Sequence, residues 1–366
     1  MRRALPLLFA VLAASIVACG DDEPESTRVR GDTLTVYASV PALGAEARAG
    51  RAAEVGMRRA LAEAGGEAGG RKVRLVSLPS TRPGDYTWDP GTVESNAARA
   101  ADDPTTIAYI GELDRGASAV SLPVTNREQI LQVSPADTLT SLTRRPPGRP
   151  RAGPERYYPS ELQTFVRLLP ADLGAARRAV ADLRAGGIRR LAIVTGDGIA
   201  DHEFEAMLLG LIGTGQPHTV DRFAAPDQDD DPDNVGDLAN DLVEANPQAI
   251  VYVAVDSRPT RAVLAAIAAR LPSVTLISGP AAARQHRLLA RSARCARMLG
   301  HEAMRLTLAA IDEAGPDRRA VVEAVKAAPK PVSACRQPAA AHARAAARGT
   351  RSPAPAGVPG RHGRRS

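Results

Sequence analysis

Two His-Glu pairs, His202-Glu203 and His301-Glu302, are the first candidates for chemistry, since a helix with His-Glu and a second His one turn on can hold zinc beside a general base. The closing His is absent from both: Ala206 and Arg305 stand there. Thr195-Gly196-Asp197-Gly198-Ile199-Ala200-Asp201 follows a β-branched run but lacks the third glycine of a dinucleotide fingerprint. The acid-rich loop at 227–233 places carboxylates at the first, third and fifth positions of a calcium loop. Pro232 then stands where the sharp turn needs glycine, and Leu238 where a bidentate glutamate belongs. No Walker-type phosphate loop and no nucleophile elbow occur. The chain is therefore expected not to be an enzyme, with no catalytic residue, cofactor or metal implied.

At 366 residues the chain is long enough for one large or two medium domains. Hydrophobic residues at 44% and charged residues at 24% are near globular averages, which argues against a wholly disordered chain. Aromatics at 3% are too few for base-stacking platforms. The net charge of +6 sits at the ends: removing Arg2, Arg3 and the seven arginines of the acid-free stretch 331–366 leaves −3 for everything between. A nucleic-acid partner, which needs a basic face on the folded domain, is not expected.

Arg2 and Arg3 precede an apolar run at 4–18 that ends in Ile16-Val17-Ala18-Cys19, followed by the polar Gly20-Asp21-Asp22-Glu23. The run is short for a membrane span and has the flanks of an export signal. Its end resembles the bacterial lipobox, which implies a signal peptide at 1–18, acylation of Cys19 and a lipidated tether at 19–32, disordered over 21–30, that holds the exported protein on a membrane. Cys295 paired with Cys335 is one option an oxidising compartment permits.

From Thr33 onward, β-branched runs alternate with amphipathic stretches that often end in glycine, the pattern of βαβ units and a parallel sheet. Strands are expected at 33–39, 72–78, 107–110 and 130–133, then at 190–194, 220–223, 249–255 and 274–277. Helical spacing picks out Ala49, Ala53, Met57, Ala60 and Leu61, and later Leu173, Val180, Leu183, Phe204, Met207, Leu208, Leu211, Leu238, Leu242, Val263, Leu264 and Ile267. Two successive α/β lobes follow, at 33–164 and 165–278. The Pro- and Arg-rich stretch 144–151 is expected as an exposed loop.

Pro41-Ala42-Leu43-Gly44 precedes a long helix, Gly70-Arg71-Lys72-Val73 opens a strand, and Asp89-Pro90 precedes a short helix. Tyr109-Ile110-Gly111 is followed by Pro123, then come the segment Val133-Ser134-Pro135-Ala136-Asp137-Thr138 and a crossing strand at 165–172. With these motifs, the order of elements from 33 to 278 resembles the type I solute-binding proteins of ABC transporters, specifically the leucine/isoleucine/valine-binding family. The resemblance implies an α/β periplasmic-binding-protein type I fold, two Rossmann-like parallel-sheet lobes joined by a hinge, closing on an amino acid or similar small polar solute for delivery to an ABC permease. It assigns ligand contacts to Ser134, Ala136 and Thr138. Capping of their own turn is the competing role.

Several family positions are replaced. Its paired serines fall on Arg115 and Gly116, with Ser118 nearby, its cleft tyrosine on Ala200 and its ammonium-pairing acid near Pro259. Asp197, Asp256 and Ser257 follow second-lobe strands and are the candidate substitutes, while Arg115, if it points into the cleft, would favour a carboxylate or another anion, a solvated loop arginine being the competing role. These replacements carry an alternative, a ligand-free regulatory or partner-activating lipoprotein of the same fold. Residues 279–330 are expected as a degenerate return segment with a helix at 300–314, and 331–366 as a disordered basic tail. Both 279–299, with five Arg and no acid, and the tail have the composition of GC-rich DNA read out of frame.

Overall fold

Strand β1 (Thr33–Val40) is buried at every residue after its first, so both of its faces must be covered, as in a parallel sheet sandwiched by helices. A computed structural model of the protein describes residues 27–44, 46–85, 87–213, 219–227, 232–255, 257–278 and 293–327. The proposed signal peptide, Cys19, Asp256 and the stretch 331–366 lie outside them.

In that structure β1 runs parallel to β3 (Arg71–Pro79) on one side and β4 (Thr106–Ile110) on the other. β5 (Leu131–Ser134) and β6 (Phe165–Arg167) extend the parallel run, and the two-residue β2 (Glu67–Ala68) pairs antiparallel with β3. The order is β2-β3-β1-β4-β5-β6. The connecting helices are α1 (Ala47–Glu63), α2 (Pro90–Asp102) and α3 (Ser118–Arg127). α2 starts where Asp89 accepts a 2.7 Å hydrogen bond from the Thr92 N–H, with Pro90 in the first turn. Because β6 pairs with β5, the change from one sheet to the next falls after Arg167.

The second sheet is all parallel, in the order β10-β9-β7-β8, from β7 (Arg190–Thr195), β8 (Thr219–Ala224), β9 (Ala249–Val253) and β10 (Thr275–Ser278). Leu173, Val180 and Leu183 of α4 (Leu173–Ala185) and Phe204, Met207 and Leu208 of α5 (Ile199–Ile212) pack with Leu191 and Ile193 of β7. Leu238 and Leu242 of α6 (Pro232–Ala245) and Val263 and Ile267 of α7 (Arg258–Arg270) pack with Ala192 and Val194 on the opposite face.

The chain then returns to the first lobe. α8 (Ala293–Ala314) lies along α1, and α9 (Arg318–Ala327) follows it. The expected helix at 300–314 thus begins seven residues earlier, inside the stretch that composition marked as degenerate, and Cys295, Ala296 and Leu299 are buried there. The reason is small-residue packing: a Cβ at Gly300 would sit 2.1 Å from the Ala53 carbonyl oxygen, and one at Gly56 2.0 Å from that of Arg297. Cys295 is disulfide-bonded, and both other cysteines lie outside the described residues.

Two further segments differ from expectation. The tether is not free over its last residues: Thr27 donates to Asp317, the Val29 N–H donates to the Pro316 carbonyl, and Val29 is buried. Backbone pairing with the turn between α8 and α9 fixes this segment to the first lobe. The loop at 144–151 is largely exposed, yet Pro146 is buried and Gly148 is pressed against Gly210 of α5, too close for a Cβ on either. Among the described residues no helix is long and apolar enough to cross a membrane.

Candidate functional site

A parallel sheet carries the carboxyl ends of its strands on one edge, where loops and helix N-termini leave N–H groups without strand partners. In this chain the loops after β4 and β5 meet the first turns of α4 and α5 in one buried polar seam between the lobes.

Arg115 lies at its centre. Its Nη1 donates to Asp201 Oδ1 at 2.8 Å, its Nη2 to Asp172 Oδ2 at 2.8 Å, and the same Nη2 reaches the Ala200 carbonyl at 3.3 Å. All three charged side chains are buried. Burial works against the Arg115 charge, but the carboxylates of Asp172 and Asp201 outweigh it and hold the guanidinium more firmly protonated than usual. Asp172 directly precedes α4 and Asp201 lies in the first turn of α5, where the positive ends of the helices favour carboxylates.

Beneath this triad, Asp137 Oδ1 accepts from the N–H of Gly116 at 3.0 Å and of Leu139 at 3.0 Å, and its Oδ2 from the N–H of Ser118 at 2.9 Å. The carboxylate therefore sits on the start of α3. From the other lobe, Glu203 Oε1 accepts from the N–H of Thr140 at 2.6 Å and of Ser141 at 3.1 Å, and burial raises its pKa. Glu112, buried behind β4, accepts from the Tyr109 hydroxyl at 2.8 Å, and burial pushes its carboxyl up to about 8. Burial, with the Asp137 charge second, pushes Asp114 up to about 7.

The residues picked out from sequence separate into three groups. Ser134 is wholly buried and spent on structure: its Oγ donates to the Glu112 carbonyl at 2.6 Å and accepts from the Asp137 N–H at 2.8 Å. Ser118 Oγ accepts from the Glu112 N–H at 3.2 Å, and Ala136 is buried without a polar side chain to offer. Thr138 is different. It is 5% exposed, and its hydroxyl has no hydrogen-bond partner among the described residues. Arg115 is buried in the seam and faces the chain's own carboxylates. Asp197 is exposed, and none of the bonds above reaches it; Ser257 caps α7 through a 3.1 Å bond from the Thr260 N–H. Neither joins the seam.

The residues that build the seam were mostly missed from sequence: Asp137, Asp172, Asp201 and Glu203. Only the placement of Asp172 and Asp201 at helix starts, and of Asp137 three residues after Ser134, could have marked them. At the end of β7, the buried Thr195 hydroxyl has no hydrogen-bond partner among the described residues.

This architecture has counterparts among solved structures. A leucine-binding protein from Thermotoga maritima superposes with a TM-score of 0.59 at 19% identity, over 80% of this chain and 87% of that one. An ABC-transporter solute-binding protein from R. palustris, solved with benzoate, gives 0.58 at 16% identity over 81% and 86%. An ABC-transporter substrate-binding protein from Desulfitobacterium hafniense, solved with Leu, gives 0.56 at 16% identity over 80% and 88%. No protein-family model and no curated protein matches the sequence. The chain has the type I periplasmic-binding-protein fold, two α/β lobes with mainly parallel sheets.

Proposed function

We propose that this protein is an exported solute-binding component of an ABC-type importer that takes an amino acid or a similar small polar solute between its lobes by hinge closure and passes it to a permease. Six side-chain hydroxyls are buried without a hydrogen-bond partner among the described residues, and the two that carry the reading are those of Thr138 and Thr195. Thr138 lies on the loop after β5 in one sheet and Thr195 ends β7 in the other, both buried and without a hydrogen-bond partner among the described residues. Leaving such a group unsatisfied costs about 1–3 kcal/mol, and a polar solute between the sheets would offset that cost. Binding of this kind involves no covalent step. Acylation of Cys19 would keep the protein on the membrane beside its permease.

A thermal-shift screen of the whole mature chain against amino acids, small carboxylates, amides and hydroxybenzoates tests the proposal. A solute at a hundred times its dissociation constant stabilises the fold by about 2.7 kcal/mol, several degrees in melting temperature. No shift with any of them sinks the reading. A second reading, a ligand-free partner-activating lipoprotein, is favoured by one observation: Arg115 is neutralised by Asp172 and Asp201 of the chain itself. Either reading keeps the lipid anchor, which mass spectrometry of the membrane fraction tests. An unmodified N-terminus elsewhere removes it.

A further inference from the structure

We infer that Arg115 is a built-in latch that holds the two lobes together without solute. The inference concerns the regulation of the cleft proposed above for solute binding and rests on that reading for its purpose, though its geometry stands alone.

Arg115 belongs to the first lobe, on the loop after β4, while both of its carboxylate partners belong to the second, at the starts of α4 and α5. The guanidinium therefore bridges the lobes directly. Its planar fork is used on two sides, Nη2 on Asp172 and Nη1 on Asp201, which fixes the lobes in orientation as well as in distance. Water is kept out on both sides of the contact, so salt screens it little.

Two more features complete the closure. Gly116 takes a φ of +83°, and a Cβ there would lie 3.5 Å from the Ala200 backbone N, so the loop turns tightly at the point where α5 arrives. Glu203 reaches from α5 to the N–H groups of Thr140 and Ser141 across the same seam. Meanwhile the N–H groups at the start of α3, a natural cradle for an anionic ligand, are occupied by Asp137. A small zwitterion would bring one cation and one carboxylate to such a seam. Arg115 and Asp137 supply both from within the chain.

The unliganded state is thus closed, and a solute must compete with Arg115 for the seam. Its apparent affinity is lowered by the small fraction of molecules that are open.

The test uses the whole mature chain without solute. Small-angle scattering and amide hydrogen exchange are measured on the wild type, Arg115→Ala and Asp201→Asn. The wild type should scatter as the closed form, and Arg115→Ala should show a larger radius of gyration. Exchange at Thr140 and Ser141 should quicken by roughly tenfold or more in that variant, with β1 and β9 amides unchanged. Asp201→Asn, which keeps the Asp172 bonds, should lie between and serves as the readout if Arg115→Ala does not fold. Equal dimensions and exchange in wild type and variants overturn the latch. Uniform acceleration that includes β1 also overturns it, since Arg115 would then only stabilise the fold. A screen without hits removes the solute reading and leaves this result standing, so the two failures are distinguishable.

Discussion

Along α1 and α8, two helices far apart in sequence touch backbone to backbone, with Ala53 against Gly300 and Gly56 against Arg297. At the seam, the two lobes also close on one another, but through Arg115, Asp172, Asp201 and Glu203. The first contact depends on shape and has a single arrangement, because a close-packed surface without a Cβ fits only its own complement. The second depends on charge and hydrogen bonds, which water or a ligand can replace one for one. In a two-lobed fold, the return of the chain to the first lobe is therefore a fixed joint and the seam a separable one.

Substituting Gly300→Ala strikes the fixed joint. The new Cβ would meet the Ala53 carbonyl at 2.1 Å, and backbone oxygen cannot swing aside as a side chain can. Separating the helices should cost about 3 kcal/mol, the upper end of ordinary overpacking. Gly236→Ala in α6, where a Cβ meets nothing within 4 Å, is the control and should be neutral or stabilise by up to about 1 kcal/mol. Equal denaturation midpoints for Gly300→Ala and wild type would show that α1 and α8 can slide apart freely.

The same contrast explains what was legible beforehand. The longer strands apart from β8, and the apolar helix faces of the second lobe, stood out, because Val, Ile and Leu at period two or 3.6 leave a strong signal. The first turns of α8 did not, since Ala293, Ala296 and Gly300 carry almost no hydrophobicity and five arginines nearby set the composition. β2 is two residues long and has no periodicity to detect. Sequence offers Arg115 both as a cleft residue and as a solvated loop arginine, and its partners lie 57 and 86 residues away. An aspartate at a helix start is by default a solvated cap, so nothing local shows that Asp172 and Asp201 are buried opposite one arginine.

Titration probes the separable joint from below. Burial raises Glu112 to about 8 and Asp114 to about 7, against about 4 for both in the unfolded chain. Between those values the folded state holds more protons, so the contribution of these two groups is full below about pH 4 and is lost as pH rises through 7 to 8. The slope is at most about 1.4 kcal/mol per pH unit for each group. Urea denaturation should show a fall of roughly 4 kcal/mol between pH 6 and 8, and Glu112→Gln should flatten its upper part. A Glu112→Gln chain with the wild-type slope would mean that Glu112 ionises normally.

The finest distinction lies within one loop, between Ser134 and Thr138, which the sequence pattern offers as equals. Ser134 Oγ joins the Glu112 carbonyl to the Asp137 N–H, so Ser134→Ala strips two buried groups of their partner and should cost about 1–3 kcal/mol of stability. Thr138→Val replaces a buried hydroxyl that has no partner among the described residues by a methyl of the same size, and stability should hold or rise slightly. For a solute found by the screen the order reverses: Thr138→Val should weaken binding by about 1–3 kcal/mol, or roughly 5- to 150-fold. Ser134→Ala should act on binding only through the loop it supports. Denaturation and calorimetric titration of both variants decide the matter. If Thr138→Val loses stability as Ser134→Ala does, its hydroxyl serves the fold; if solute affinity is unchanged, Thr138 leaves the site and the seam binds through the charges that Arg115 now holds.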